Sequence, residues 1–269
     1  MENIGVSNLP NLSHKKQMAK PNYFNIMVAG SRGVGKTTYI EKLLQKKLGE
    51  KFEKLYCNEN FGLSESRDIE NMIEFREYKT RIVERNSVTF FNIIEVNDIG
   101  DFVNNENCAV PLMNYIIKQN IDFFNNEKVK VPSIIKDQRI HLMLYFFDAS
   151  APRAVDLFIM NELSKYVNVV PCSSRSEFLM ETEQNLIKNS SVYSELKTFG
   201  DVQFISKIKG DDMLEDLIKN QMMVLKNLTD DYYNIFKRKN VIMSLINEFR
   251  EENEDAKFLK EFLEIDSNI

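Results

Sequence analysis

Gly30-Ser31-Arg32-Gly33-Val34-Gly35-Lys36-Thr37-Thr38 is the stretch that most restricts what this chain can fold into. The spacing G-x-x-x-x-G-K-[ST] lets backbone N–H groups curl around phosphate oxygens, because glycine puts no Cβ in the way. In that pattern Lys36 reaches the β- and γ-phosphates, and the Thr37 hydroxyl takes a place on Mg²⁺. The helix that follows aims its N-terminal dipole at the same anion. Such a motif has meaning only between a strand and a helix, and both flanks agree. Residues 23–29 (YFNIMVA) have the composition of a short buried strand, and residues 38–48 carry apolar side chains at helical spacing. The candidate nucleotide-binding residues are therefore Gly30, Ser31, Arg32, Gly33, Val34, Gly35, Lys36, Thr37 and Thr38, with Thr37 also the candidate Mg²⁺ ligand. A glycine-rich turn that binds nothing is the alternative. Lys42, Lys46, Lys47, Lys51 and Lys54 are expected to form a solvated helix face.

Further along, residues 72–78 alternate as a half-exposed strand should, and residues 87–94, 140–147, 166–171 and 202–205 are further strand candidates. Helical patterns lie between them, as at 155–166. Strands alternating with helices after a phosphate loop predict an α/β protein of the P-loop NTPase class. Its three layers would be α/β/α, with a mainly parallel sheet covered on both faces and helices at the C-terminal end. Leu214, Leu217, Ile218, Leu225, Leu228 and Tyr232 mark one face of a long helix. Ile242, Leu245, Ile246, Phe249, Leu259, Phe262 and Leu263 are expected to belong to another. The acidic run at 251–255 interrupts any heptad, which favours a packing or partner helix over a coiled coil. The expected organisation is a flexible polar arm at 1–22, a nucleotide-binding domain at 23–239 and a helical tail at 240–269.

With 269 residues, 43% of them hydrophobic, the chain can bury one substantial core. A formal charge of -5 gives no general attraction to nucleic acid, so none is expected as a partner. No apolar run reaches the roughly 20 residues of a membrane span. Residues 1–22 lack a secretory segment, which leads to the expectation of a cytosolic protein. Cys57, Cys108 and Cys172 stand far apart without metal-ligand spacing, so buried free thiols are expected. Two histidines, His14 and His141, leave little room for His-based catalysis.

Several independent stretches then occur in a telling order. Asn97-Asp98-Ile99-Gly100-Asp101-Phe102-Val103-Asn104-Asn105 is followed by Asn107-Cys108, Pro111 and Tyr115-Ile116. Then come Asp137-Gln138-Arg139-Ile140-His141 with Leu144-Tyr145-Phe146, and Val167-Asn168-Val169-Val170-Pro171. In this order and spacing the chain resembles the septins, the filament-forming GTP-binding proteins, over roughly residues 20 to 240. Their third GTPase motif runs into a GDxVNN-like stretch, and their next two strands read like DxRVHxxLYF and VNIIP. Residues 231–238 (DYYNIFKR) match as well. The resemblance implies GTP or GDP and Mg²⁺ as ligands, other septins as partners in hetero- or homo-oligomers, and a cytoplasmic, cytoskeletal place at the cell cortex or division site.

The departures from the family pattern are informative. Aligned on Gly100-Asp101, the metal-holding Asp position of the third motif is Glu95, and the γ-phosphate-sensing Gly position is Asp98. A carboxylate about 4 Å from a triphosphate costs roughly 1–4 kcal/mol, depending on the local dielectric. Either that sensor is damaged or Gly100 has shifted to do the job. Met72 stands where active septins carry a metal-coordinating threonine, and a thioether is a poor ligand for a hard cation. After Pro171 the family's guanine-reading Ala-Lys-Ala-Asp is matched by Ser174-Arg175-Ser176-Glu177. Arg175 and Glu177 are thereby the candidate base-binding residues, a plain surface loop being the alternative. The family's Arg-x-Tyr-Pro-Trp-Gly hairpin is missing after residues 202–210, and Ser150-Ala151-Pro152-Arg153 lacks its Gly-His-Gly turn. Both changes imply a weakened or remodelled contact across the nucleotide.

Together these features imply a septin-like cytoskeletal subunit of dividing cells that binds GTP without efficient hydrolysis, and no residue is assigned a catalytic role. A slow GTPase switch and a nucleotide-free scaffold that binds septins or membranes are the alternatives. Lys15, Lys16 and Lys20 would contribute a weak attraction to anionic lipid.

Overall fold

A computed structural model describes residues 22–48, 53–57, 73–84, 87–102, 104–129, 135–148, 152–176, 179–188, 196–199, 202–205 and 220–250. Their strands are β1 (Asn22–Gly30), β2 (Glu53–Cys57), β3 (Phe75–Glu84), β4 (Ser87–Val96), β5 (Leu142–Asp148), β6 (Val169–Ser174) and β7 (Gln203–Phe204). The helices are α1 (Lys36–Leu48), α2 (Val110–Val129), α3 (Ala154–Ser164), α4 (Glu181–Lys188) and α5 (Met222–Arg250). The strands form one sheet in the order β2-β3-β4-β1-β5-β6-β7. From β4 to β7 all neighbours run parallel, while β3 pairs antiparallel with both β2 and β4. The expected mainly parallel α/β architecture is the one observed.

The central strands β1 and β5 are buried on both faces, and the two-residue period of the strands assigns each of their side chains to a layer. Phe24, Ile26 and Val28 of β1 join Leu142, Leu144 and Phe146 of β5 in a cluster with Ile40 and Leu44 of α1 and Leu225 of α5. Met27 and Ala29 point the other way, with Met143, Tyr145 and Phe147, against Leu112 and Ile116 of α2 and Ile159 and Leu163 of α3. Each layer thus holds helices on an apolar face, as three-layer packing requires. Cys108 and Cys172 are buried free thiols.

A buried polar brace sets β5 beside β1. The Asn25 N–H donates to His141 Nδ1 at 3.0 Å, and the His141 N–H returns to the Asn25 carbonyl at 3.0 Å. The Asn25 side-chain amide donates to the carbonyls of Asp137 and Arg139 at 3.0 and 2.7 Å. Burial holds the His141 pKa below its ordinary value, in keeping with a neutral ring that accepts at Nδ1. Burial alone would raise the Asp137 carboxyl, but hydrogen bonds from His141 and Arg139 outweigh it and hold it well below the usual range. His141 is a structural residue.

Three expectations need correction. Lys54 lies in β2, not on a helix face, because residues 53–57 add a strand to the edge of β3. The strand expected at 166–171 begins at Val169, since the Tyr166 and Val167 amides donate to the Leu163 carbonyl and close the end of α3. The two C-terminal helices expected around residues 225 and 245 are one, α5, and its Leu228 is exposed while Leu225 and Thr229 are buried. Leu214, Leu217, Ile218, Leu259, Phe262 and Leu263 lie outside the described residues.

The chain divides after Thr229 into two compact units. All the strands, α1 to α4 and the start of α5 belong to the first. In the second, Phe236 stacks on Tyr233 with ring centroids 6.2 Å apart, and the Lys237 ammonium lies 5.9 Å over the Tyr233 ring.

Candidate nucleotide site

β1 lies between β4 and β5, so the crevice at its C-terminal end opens where strand order reverses, the usual ligand position in open α/β sheets. Gly30 ends β1 there with φ 141°, and a Cβ built on it would lie 2.1 Å from the Phe146 carbonyl oxygen. Gly33 and Gly35 follow at φ 77° and 95°, the left-handed region that other residues avoid. Ser31, Arg32 and Val34 complete the loop, Val34 being buried against the α1 side of the sheet. α1 starts at Lys36, and the Tyr39 amide closes its first turn on the Gly35 carbonyl.

Lys36 is buried and clamps the loop, its Nζ donating to the Gly30 and Ser31 carbonyls at 2.8 and 2.6 Å. Burial pulls its pKa down to about 8, against the attraction of Glu95, Asp98 and Asp101. Thr37 is half-buried and Thr38 exposed. The Thr37 hydroxyl donates to Glu95 Oε1, and the Tyr78 hydroxyl donates to Glu95 Oε2 at 2.8 Å. Burial, then this carboxylate, raises the Tyr78 pKa. A threonine hydroxyl beside a carboxylate is the kind of hard oxygen pair that shares Mg²⁺ with ligand phosphates, so these residues fit that ion. Among the described residues, no cluster of three or more His, Cys, Asp or Glu could hold a metal unaided.

Past β4 the chain turns sharply, with φ 63° at Asp98 and 73° at Gly100. Gly100 lies against α3, where an added Cβ would stand 3.1 Å from Arg153 Nη2. The loop meets the cradle instead through Asp101, whose Oδ2 accepts the Arg32 N–H at 2.6 Å. Asp98 Oδ1 lies 3.8 Å from Arg32 Nε. Arg153 donates to Asp101 Oδ1 at 2.9 Å and to the Gly100 carbonyl at 3.1 Å. It also grips Asp156 through Nε and Nη2, each at 3.0 Å. Asp156 in turn accepts the buried Tyr145 hydroxyl at 2.8 Å.

Arg175 follows β6 with φ 58° and reaches across the crevice, its Nη2 donating to the Gly33 carbonyl at 2.6 Å. Its Nη1 lies 3.8 Å from Asp148 Oδ1 at the end of β5. The structure thus brings Arg175 to the phosphate loop. Glu177, Met72, Lys15, Lys16 and Lys20 lie outside the described residues. Nothing local in the sequence marks Asp101 and Arg153 as contacts of the cradle; only the fold brings them together there.

The septin family profile matches residues 20–229. The chain is 30% identical over 207 residues to Cell division control protein 3 of Encephalitozoon cuniculi, covering 70% of this chain and 56% of that protein. It is 31% identical over 199 residues to mouse (Mus musculus) Septin-5, covering 73% of this chain and 52% of that protein. The chain spans about half the length of these curated relatives. Among solved structures, Cdc11 from Saccharomyces cerevisiae matches 81% of this chain and 99% of its own at 16% identity and a TM-score of 0.51, a likeness of fold.

Proposed function

The chain belongs to the septin family, and on that premise we propose that it is a guanine-nucleotide-binding cytoskeletal subunit that holds its nucleotide with little turnover. It would co-assemble with other septins in dividing cells; the name of the Encephalitozoon relative speaks of cell division for that protein. The observation that carries the reading is the cradle at the sheet's switch point, with Lys36 buried across its mouth and three positive-φ glycines around it. Backbone amides of residues 31–36 would take phosphate oxygens, and Lys36 would neutralise them. Arg175, tied to Gly33, would close the base end of the site, with Glu177 accepting from the guanine edge. Thr37 and Glu95 would hold Mg²⁺, which when bound offsets charge between the phosphates.

Low turnover follows from what stands near the terminal phosphate. Phosphoryl transfer needs an oriented water and donors aimed at the charge that spreads over the transferred group. Here Asp98 and Asp101 face the loop at Arg32, and carboxylates oppose that charge. Nucleotide would then act by mass action, stabilising the folded subunit by RT ln(1 + [L]/Kd).

The test is multiple-turnover phosphate release with excess GTP and Mg²⁺. The expected result is release indistinguishable from buffer. Sustained release at about 10⁻² s⁻¹, the pace of a GTPase with its arginine in place, would return the chain to the switch class.

A further inference from the structure

We propose that Asp101 is an internal anion for the phosphate cradle, so that the site favours guanosine diphosphate and admits a third phosphate only when Asp101 leaves the Arg32 amide. The inference rests on the nucleotide-binding reading above and names which ligand state that site prefers.

The contact is built, not incidental. At 2.6 Å, the bond from the Arg32 N–H to Asp101 Oδ2 has the length of a strong charge-assisted hydrogen bond. The other oxygen of the same carboxylate is held by Arg153 at 2.9 Å. Arg153 is itself fixed. Its Nε and backbone N–H both donate to Asp156 Oδ2, at 3.0 and 2.8 Å, and its Nη2 donates to Asp156 Oδ1 at 3.0 Å. Asp156 is 2% exposed and takes the Tyr145 hydroxyl from the middle of the sheet. A chain of polar contacts therefore runs from the core through Tyr145, Asp156 and Arg153 to Asp101, and ends on the loop. The left-handed turns at Asp98 and Gly100 bend residues 97–101 back over the cradle to make that last contact.

A carboxylate and a phosphate compete for the same donors, because both are oxygen anions that accept from backbone amides. A diphosphate deeper in the loop leaves Asp101 where it is. A third phosphate meets Asp101 at Arg32, with Asp98 adjacent, and must displace the carboxylate or endure it. Repulsion of that kind amounts to about a tenfold to hundredfold difference in affinity.

The experiment is calorimetric titration of the full chain, first stripped of any nucleotide it carries, with GDP and with a non-hydrolysable GTP analogue, for wild type and Asp101→Asn. The substitution keeps the side chain's shape and an acceptor but removes its charge. The triphosphate-to-diphosphate Kd ratio is expected to fall by about tenfold in Asp101→Asn. It should fall at least as far in Asp101→Ala, which guards against poor folding of the first variant. Glu106→Gln, the same charge change at an exposed position of the next turn, is expected to leave the ratio alone. An unchanged ratio in both Asp101 variants, or an equal gain for both nucleotides, overturns the internal anion and leaves nucleotide binding standing. Failure of wild type and variants alike to bind either nucleotide overturns the binding reading and this inference with it.

Discussion

Gly30→Ala is expected to lower the thermal unfolding midpoint by roughly 10–15 °C, the largest stability effect of any single methyl group added in the phosphate loop. Two costs combine. At φ 141° a residue with a Cβ is strained, by about 1–3 kcal/mol. The added carbon would also lie 2.1 Å from the Phe146 carbonyl oxygen, which is backbone of a central strand and cannot rotate away. Forcing β1 and β5 apart there costs about another 1–3 kcal/mol. Gly33→Ala is the internal comparison. Its Cβ would meet nothing within 4 Å, so only the strain at φ 77° remains and the loss should be less than half as large. A scan of both variants by circular dichroism decides it, and equal losses would refute the steric account.

Lys36→Met should have the largest effect on binding, weakening guanine nucleotide affinity by about 100-fold or more. Methionine keeps most of the stem's volume and loses the ammonium that ties Gly30 to Ser31 and would face the phosphates. The same lysine gives wild type a signature in pH. Burial brings its pKa down to about 8, so above that pH an increasing share of the free protein carries a neutral amine. A phosphate favours the charged form, and binding must then take up a proton. Affinity is therefore expected to be level near pH 7 and to fall as pH rises towards 9, by up to tenfold per unit. Lys36→Met should lack the slope. Wild-type affinity that is flat from pH 7 to 9 would mean that Lys36 does not carry the charge.

The strand, glycine loop and first helix were legible because each depends on local chemistry: an apolar run, positions that need φ above zero and an apolar helical period. The sheet's parallel half was legible for the same reason. β2 was not, because five residues with two lysines or glutamates among them resemble the end of the preceding helix until β3 is there to pair with. The division of the C-terminal stretch into two helices failed differently. The apolar positions from Leu214 to Tyr232 and those from Ile242 to Leu263 read as two separate helices, while the backbone stays helical from Met222 to Arg250. At the site, the sequence named Lys36, Thr37 and Arg175, whose types fit phosphate and base. It could not pair Asp101 with Arg32, 69 positions away, or Arg153 with Asp101, since those contacts exist only once β4, β1 and α3 converge. Asp98 attracted notice for its charge, yet Asp101 is the residue whose carboxylate accepts from the loop.

The central claim, that this chain holds a guanine nucleotide as part of its folded structure, is tested most directly by denaturing the purified chain and identifying what it releases. The expected result is close to one guanine nucleotide per chain, mostly diphosphate. Release of no nucleotide, or of an adenine nucleotide, would contradict it.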